Sequence, residues 1–301
     1  MQVSKYEAFI KTVELKSLTK AAEALGYTQS GVTHMLNALE SELGLTLLQR
    51  GRAGAGPTSD GAEMLPYMQA VCDHERRLRI KAAELKGLES GTLRVGTFTS
   101  ISVQWFPGIL RAFRQAYPAV RVEMWNDDDA AVERLLMQGT IDCAFVEIPT
   151  QNPFSIEWLA RDPIYAIVPE GHPLCAQEAV DKADLERYPF IWESDESANA
   201  ESWSRRFAPK KRPEMSTTDD YAIMAMVECG LGVSVLPELV MARSGRRIVK
   251  KPLEPHAYRD LGIAVNLGQP PSAAARAFME HARRFVQSEG DVPEADGPSN
   301  A

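Results

Sequence analysis

Gln29, Ser30, Thr33, His34 and Asn37 are polar side chains on one side of a single helical run. Near a helix N-terminus, such groups can exchange hydrogen bonds with base edges and phosphates in a major groove. The other side of the run carries Val32, Met35, Leu36 and Leu39, an apolar stripe at helical spacing. Thr28 stands where an N-cap is needed. Ahead of it, Ala21, Ala22 and Leu25 form the inner face of a shorter helix, with Thr19 placed to cap it. Two adjacent alanines let a neighbouring helix cross closely. Gly26 sits between the runs, where a helix stops at positive φ. Two helices about a tight glycine turn, followed by a third helix and a basic loop with Arg50 and Arg52, are the sequence form of a helix-turn-helix that reads duplex DNA. The competing reading is the solvated face of an ordinary helical hairpin.

The elements beyond this module set the rest of the plan. Residues 62–88 read as one long helix, with Met64, Val71, Leu78 and Leu85 recurring every seven residues. Met68 and Ala82 fill intermediate seam positions and Glu75 interrupts a third, so this helix is expected to pair with a second copy. From Gly91 the period changes. Thr92–Gly96, Val120–Trp125 and Ile141–Glu147 read as strands, with helices from Ser100 toward Tyr117 and over Asp129–Gln138. Such alternation argues for a parallel α/β sheet. Ile164–Pro169, Pro189–Trp192, Pro213–Thr217, Val233–Leu236 and Leu261–Leu267 are further strands. Asn199–Ala208, Tyr221–Gly230 and Ser272–Gln287 are further helices, and 288–301 is an acidic tail expected to be disordered.

Composition narrows the function classes. The 301 residues carry a net charge of −8, and no basic domain or basic tail is evident. Binding to DNA must then lean on a few placed arginines and on two linked half-sites, and it must be sensitive to salt. The N-terminus lacks a signal-peptide core and no run is long enough to span a membrane, so the expected location is the cytoplasm, with no membrane partner. Four cysteines show no metal spacing, and Cys143 and Cys229 in apolar runs are expected to be buried thiols. No nucleophile elbow, zinc-protease or phosphate-loop pattern occurs, and the five histidines are scattered. The expectation is a non-enzyme with no cofactor and no metal.

The pattern Ala21-Ala22, Leu25, Gln29, Thr33, Leu36, Leu39-Glu40, Leu43-Gly44, Leu47, Arg50, then Thr58 and Gly61, resembles the LysR-type transcriptional regulators. The match is dense from Tyr6 to Gly61, and a looser likeness reaches Gln287. His34 stands where an arginine is frequent, Leu48 where a phenylalanine is, and Ala53–Gly56 makes a plain wing. The resemblance implies an all-α winged helix-turn-helix domain over 1–61 and a linker and dimerisation helix over 62–90. It implies a two-lobed α/β effector domain over 91–287, like the periplasmic binding proteins. Lobe one would be 91–162 with 268–287 and lobe two 163–267, with hinge crossings near Asp162 and Leu267. It places Gln29, Thr33 and His34 on the recognition helix and Arg50 and Arg52 on the wing. Together with Thr28, Ser30 and Asn37 these are the expected DNA contacts. The segment Val227–Pro237 is close to the family's helix-glycine-strand signature, a structural turn.

Ligands of open α/β sheets bind beyond the carboxyl ends of the strands. In this chain those ends are Thr97–Ser102, Asn126–Asp129, Val146-Glu147, Trp192–Ser194 and Thr217–Asp219. The family's cleft positions map onto Ser100, Asp129, Glu147, Glu193 and Thr218, with Thr99 beside them. The set is acidic, and Glu147 stands where an arginine can serve relatives that recognise aromatic acids. An effector with a cationic group, an amine or amino acid held by Glu147 and Asp129, is expected, set against acids that only cap helices. The resemblance further implies a dimer or tetramer on an imperfect inverted repeat of double-stranded DNA, and RNA polymerase as a partner. The alternative class is a cytoplasmic small-molecule sensor whose helical N-terminal domain docks a protein.

Overall fold

The computed structural model describes residues 2–51, 54–85, 91–193, 207, 215–242, 244–268 and 270–289. The chain divides into two compact units, the first chiefly Met1–Gly87 and the second Leu88–Met137 with Ile141–Ala301.

The first unit begins with α1 (Gln2–Leu15), which the motif reading did not draw, then α2 (Leu18–Leu25) and α3 (Gln29–Leu43). Ser17, not Thr19, caps α2: its hydroxyl accepts from the Lys20 N–H, and Thr19 is already helical. Gly26 ends that helix at φ 71°, as its type requires. Thr28 caps α3, its hydroxyl accepting from the Gly31 N–H at 3.1 Å. Phe9, Ala22, Val32, Leu36, Leu39 and Leu47 close the core between the three helices. The wing is not helical: strands β1 (Leu48–Gly51) and β2 (Gly54–Pro57) pair antiparallel as a hairpin. Glu40 fixes its base, accepting from the Leu47 and Leu48 N–H groups at 2.7 and 3.0 Å.

Helix α4 (Ser59–Leu85) follows. Its expected seam divides. Met68 is buried and Met64 half-buried in the core of the first unit, whereas Val71 and Leu78 lie exposed. The first seam positions therefore serve the unit's own core, because α4 packs on α1 there.

The second unit holds a six-stranded sheet ordered β4-β3-β5-β10-β6-β9. Its strands are β3 (Gly91–Thr97), β4 (Val120–Asn126), β5 (Cys143–Ile148), β6 (Phe154–Pro169), β9 (Ser234–Pro237) and β10 (Ile248–Asn266). In this sheet β3 runs parallel to β4 and β5, whereas β10 runs antiparallel to β5 and β6, and β6 to β9. The sheet is mixed, a correction to the parallel expectation. The cause is a long antiparallel ribbon, β6 with β10, whose strands are 16 and 19 residues long. Prolines concealed it from the sequence, since proline ordinarily demotes a strand. Pro163 lies inside β6, and Pro252 and Pro255 lie at the register shift in β10.

The ribbon links the two lobes. In lobe one α6 (Phe106–Ala116) and α11 (Ala273–Glu289) cover one sheet face, Phe113 and Phe278 packing in one cluster with Phe145 of β5. Helix α7 (Asp129–Met137) covers the other with Val132 and Leu136. The expected helix after Ser100 is broken at Trp105 into α5 (Thr99–Gln104) and α6. In lobe two α8 (Lys182–Leu185), a small sheet of β7 (Ile191–Glu193) and β8 (Met215–Thr217), α9 (Asp220–Glu228) and α10 (Glu238–Met241) surround the far end of the ribbon. Residues Asp260–Ala264 already pair with β5, so the second crossing lies at Arg259, opposite Asp162, and not at Leu267. Cys143 is buried, but Cys229 caps the exposed end of α9 and is not. The expected helix over 199–208 lies outside the described residues apart from Phe207, and the tail does too beyond Glu289.

Candidate effector cleft and DNA-reading face

Two Arg-Asp dipeptides, Arg161-Asp162 and Arg259-Asp260, meet in antiparallel register on the ribbon: Asp162 opposite Arg259 and Arg161 opposite Asp260. Alternation turns the two pairs to opposite faces. Arg161 binds Asp260 through two hydrogen bonds at 3.0 and 3.1 Å, and its guanidinium stacks 3.8 Å above the Tyr258 ring. This pair is half-exposed. A cavity of about 590 Å³ opens here, lined by Trp105, Arg161, Tyr165, His256 and Tyr258 among others.

The other pair is buried. Arg259 donates from Nε to Asp162 Oδ2 at 3.0 Å, with Nη2 2.9 Å from the same oxygen. Nη2 also donates to the Ser100 hydroxyl at 2.9 Å, and Nη1 lies 3.7 Å from Glu147 Oε2. Asp162 Oδ1 accepts from the Leu239 N–H at 3.0 Å, tying the crossing to α10. The second crossing strand thus sets one guanidinium among groups from both lobes: Ser100 and Glu147 from lobe one, and Asp220 of lobe two within electrostatic reach. Burial works against the charge of Arg259, yet Asp162, Glu147 and Asp129 hold its proton more firmly than usual. Burial pushes the Asp162 carboxyl up, opposed by Arg259 and the Leu239 N–H.

The sequence-selected residues sort as follows. Ser100, Asp129 and Glu147 converge on Arg259. Thr99 opens α5, and Thr218 is exposed in the turn after β8. Glu193 ends β7. Some acids do cap helices: Asp128 accepts from the Ala131 N–H, and Asp219 accepts from Tyr221 and Ala222. Arg259 and Asp220 were missed. The repeated Arg-Asp dipeptide was the available signal, but the strand that presents Arg259 was not recognised.

In the first unit Gln29, Ser30, His34 and Asn37 are exposed along α3 and Thr33 is half-buried. The Thr33 hydroxyl donates to the Gln29 carbonyl at 2.9 Å, and the Thr28 hydroxyl serves the cap. Arg50 lies on β1, while Arg52 lies outside the described residues.

Residues 3–62 match the family model for the bacterial regulatory helix-turn-helix protein, lysR family, and residues 86–287 match the LysR substrate binding domain. The chain is 29% identical over 293 residues to the uncharacterized HTH-type transcriptional regulator YvbU of Bacillus subtilis, covering 96% of this chain and 100% of that one. It is 27% identical over 280 residues to the RuBisCO operon transcriptional regulator of Allochromatium vinosum, covering 91% of each. Among solved structures, a cysteine-substituted full-length OxyR from Pseudomonas aeruginosa superposes with a TM-score of 0.72 at 21% identity, covering 94% of this chain and 95% of that one. Full-length CbnR in complex with its target DNA superposes at 0.66 with 21% identity, covering 95% and 100%. With both family models matched in chain order on the two units, the chain belongs to the LysR-type transcriptional regulators, DNA-binding proteins that carry an effector-binding domain.

Proposed function

We propose that α3 reads base edges in a major groove through Gln29, Thr33, His34 and Asn37, with Thr28 and Ser30 at its N-terminus. Arg50 and Arg52 of the wing hold the DNA backbone. The observation that carries this is the exposed polar face of α3, presented by a helix whose opposite face is fixed in the core by Val32, Leu36 and Leu39. The exposed Val71 and Leu78 on α4 support pairing of that helix with a second copy, which would set two heads on an imperfect inverted repeat. No helix among the described residues is long and apolar enough to cross a membrane, and we place the protein in the cytoplasm, with RNA polymerase as a downstream partner.

The effector enters between the lobes, at Thr99, Ser100, Asp129, Glu147, Glu193 and Thr218, and carries a cationic group. What supports the charge is the set of acids at the crossing: among the described residues, Asp162, Glu147, Asp129 and Asp220 gather about the Arg259 guanidinium. The ligand acts by favouring one arrangement of the lobes over another, and only a difference in affinity between arrangements moves the equilibrium. The sensor that docks a protein is separated from the DNA reader by one titration. Purified protein is added to DNA flanking its own gene, with competitor and varied salt. Saturable, competitor-resistant retardation that falls with salt is expected, and its loss in Thr33→Ala and Arg50→Ala variants that remain folded. Retardation unchanged in both variants would remove α3 and the wing from the interface.

A further inference from the structure

Asp220 is the first residue of α9, and its neighbour Asp219 already fills the cap. Its Oδ1 is sealed from solvent and has no hydrogen-bond partner among the described residues. A buried carboxylate oxygen in that condition is costly, because neither water nor a donor offsets its charge. Among the described residues, the cation within reach is committed elsewhere. Arg259 gives its close contacts to Asp162 and Ser100, and its third nitrogen faces Glu147.

Among the described residues, the charged groups acting on Asp220 come from two elements. Arg259 of β10 attracts its charge and Asp219 of its own cap repels it. Of the strands packed against α9, β8 and β9 carry no charged side chain, β7 ends on Glu193, and β6 contributes Tyr165 beneath the helix. Among the described residues, the Arg259 guanidinium stands among the carboxyls of Asp162, Glu147, Asp129 and Asp220. Arg259 holds Asp162 directly, so the buried Asp220 carboxyl is the member of this set that takes up a proton or a second cation.

We propose that Asp220 anchors the cationic group of the effector from lobe two, and that the effector's ammonium takes the place of a proton on this carboxyl. This rests on the reading of the interlobe cleft as the effector site and gives it a chemistry. The exchange balances: an alkylammonium enters, the Asp220 carboxyl releases its proton to buffer, and no covalent bond to the ligand forms. Burial places this carboxyl at about 6, with Arg259 pulling it down and Asp219 pushing it up. Below that pH the ligand must displace the proton, and above it the carboxylate is free to receive the ligand. Affinity therefore rises with pH to about 6 and levels off above. Because Asp220 stands on lobe two and Glu147 and Asp129 on lobe one, an ammonium held by all three draws the lobes together.

The test uses the full-length protein and putrescine, agmatine and L-lysine as cationic probes, with succinate and benzoate as anionic controls. Titration calorimetry is run between pH 5 and 7.5, in two buffers of different ionisation enthalpy at each pH. We expect a cation to bind and an anion not to. Binding at pH 5 should be about tenfold weaker than at pH 7.5, with release of close to one proton at pH 5. Asp220→Asn, uncharged and of the same shape, should weaken binding at pH 7.5 and abolish both the pH dependence and the proton release. A cation that binds wild type and Asp220→Asn alike, with no proton released, overturns the role of Asp220 and leaves the cleft as effector site. Binding of the anions alone, or of none of the cations, overturns the cationic chemistry as well. Retardation of DNA, measured on the same preparation, reports independently on the regulator reading. Should Asp220→Asn fail to fold, proton release by wild type decides.

Discussion

At the scale of residues, the buried Arg259–Asp162 pair is the feature with most consequence. Removing one member leaves the other charge uncompensated in the interior, so Asp162→Ala is expected to lose on the order of 3–5 kcal/mol of stability. Chemical denaturation measures this, and a loss below about 1 kcal/mol would mean the pair is not sealed as described. Asp220 gives a signed pH effect. Its native carboxyl titrates at about 6, above the ordinary value of 3.8, so the native state holds the proton more tightly than the unfolded chain. The stability this contributes is complete below pH 3.8 and is lost as pH rises through about 6. Asp220→Asn, which never ionises, should therefore gain on wild type as pH climbs from about 4 to 7, by roughly 2 kcal/mol in all at about 1.4 kcal/mol per pH unit. A difference between the two proteins that stays flat over this range would contradict the burial of that carboxyl. His172, by contrast, has its proton affinity lowered by burial; it heads a short 3-10 turn with its ring against Tyr188.

At the scale of elements, the helix-turn-helix and the ribbon tell opposite stories. Every α3 determinant is local: the Thr28 cap, the Val32-Leu36-Leu39 stripe and the Gly26 and Gly44 ends all act within a few residues. They were legible because helical hydrogen bonds and caps are short-range in the chain. The misplaced cap, Thr19 for Ser17, is a shift of two positions, and Ser17→Ala should cost about 1 kcal/mol. The ribbon is long-range. Asp162 and Arg259 stand 97 residues apart, and the register that joins them is set by partners on both sides of β10. Two glycines mark places where backbone approaches backbone too closely for a side chain. A Cβ on Gly61 would lie 2.0 Å from the Leu47 carbonyl oxygen, and one on Gly232 would lie 2.4 Å from that of Pro189. Backbone cannot give way as a flexible side chain can. Gly61→Ala should displace α4 from the wing and depress DNA retardation, while Gly232→Ala should lower the thermal midpoint, by several degrees for about 1–3 kcal/mol.

At the scale of the whole molecule, the net charge of −8 argues against DNA binding driven by general attraction. Affinity must come from two heads, each contributing a few phosphate contacts, and the slope of log affinity against log salt should be shallow for one head and double for the pair. Leu78 is 70% exposed on α4, on a helix of 27 residues whose early seam residues are already used inside the first unit. Leu78→Asp is expected to shift the protein toward monomer in sedimentation and to weaken DNA retardation together with it. Dimer retained in full by this variant would place the pairing surface elsewhere.

The amino-acid sequence alone determined the helical reading head, the order of the two units and the strand-end residues Ser100, Asp129 and Glu147 that gather about Arg259. Those follow from periodicity, capping and local turn chemistry, which act over a few residues. Tertiary structure decided that the chain crosses between the lobes at Asp162 and Arg259, that the sheet is mixed, and that Val71 and Leu78 but not Met68 remain exposed. It also decided the electrostatics of the cleft. An acidic set of strand ends reads, in one dimension, as a surface awaiting a cation. Only the antiparallel register brings an internal guanidinium into that set and leaves Asp220, among the described residues, as a carboxyl without a hydrogen-bond donor at Oδ1. Charge balance in a protein interior is a property of groups gathered from distant parts of the chain, so it is fixed only when the chain has folded.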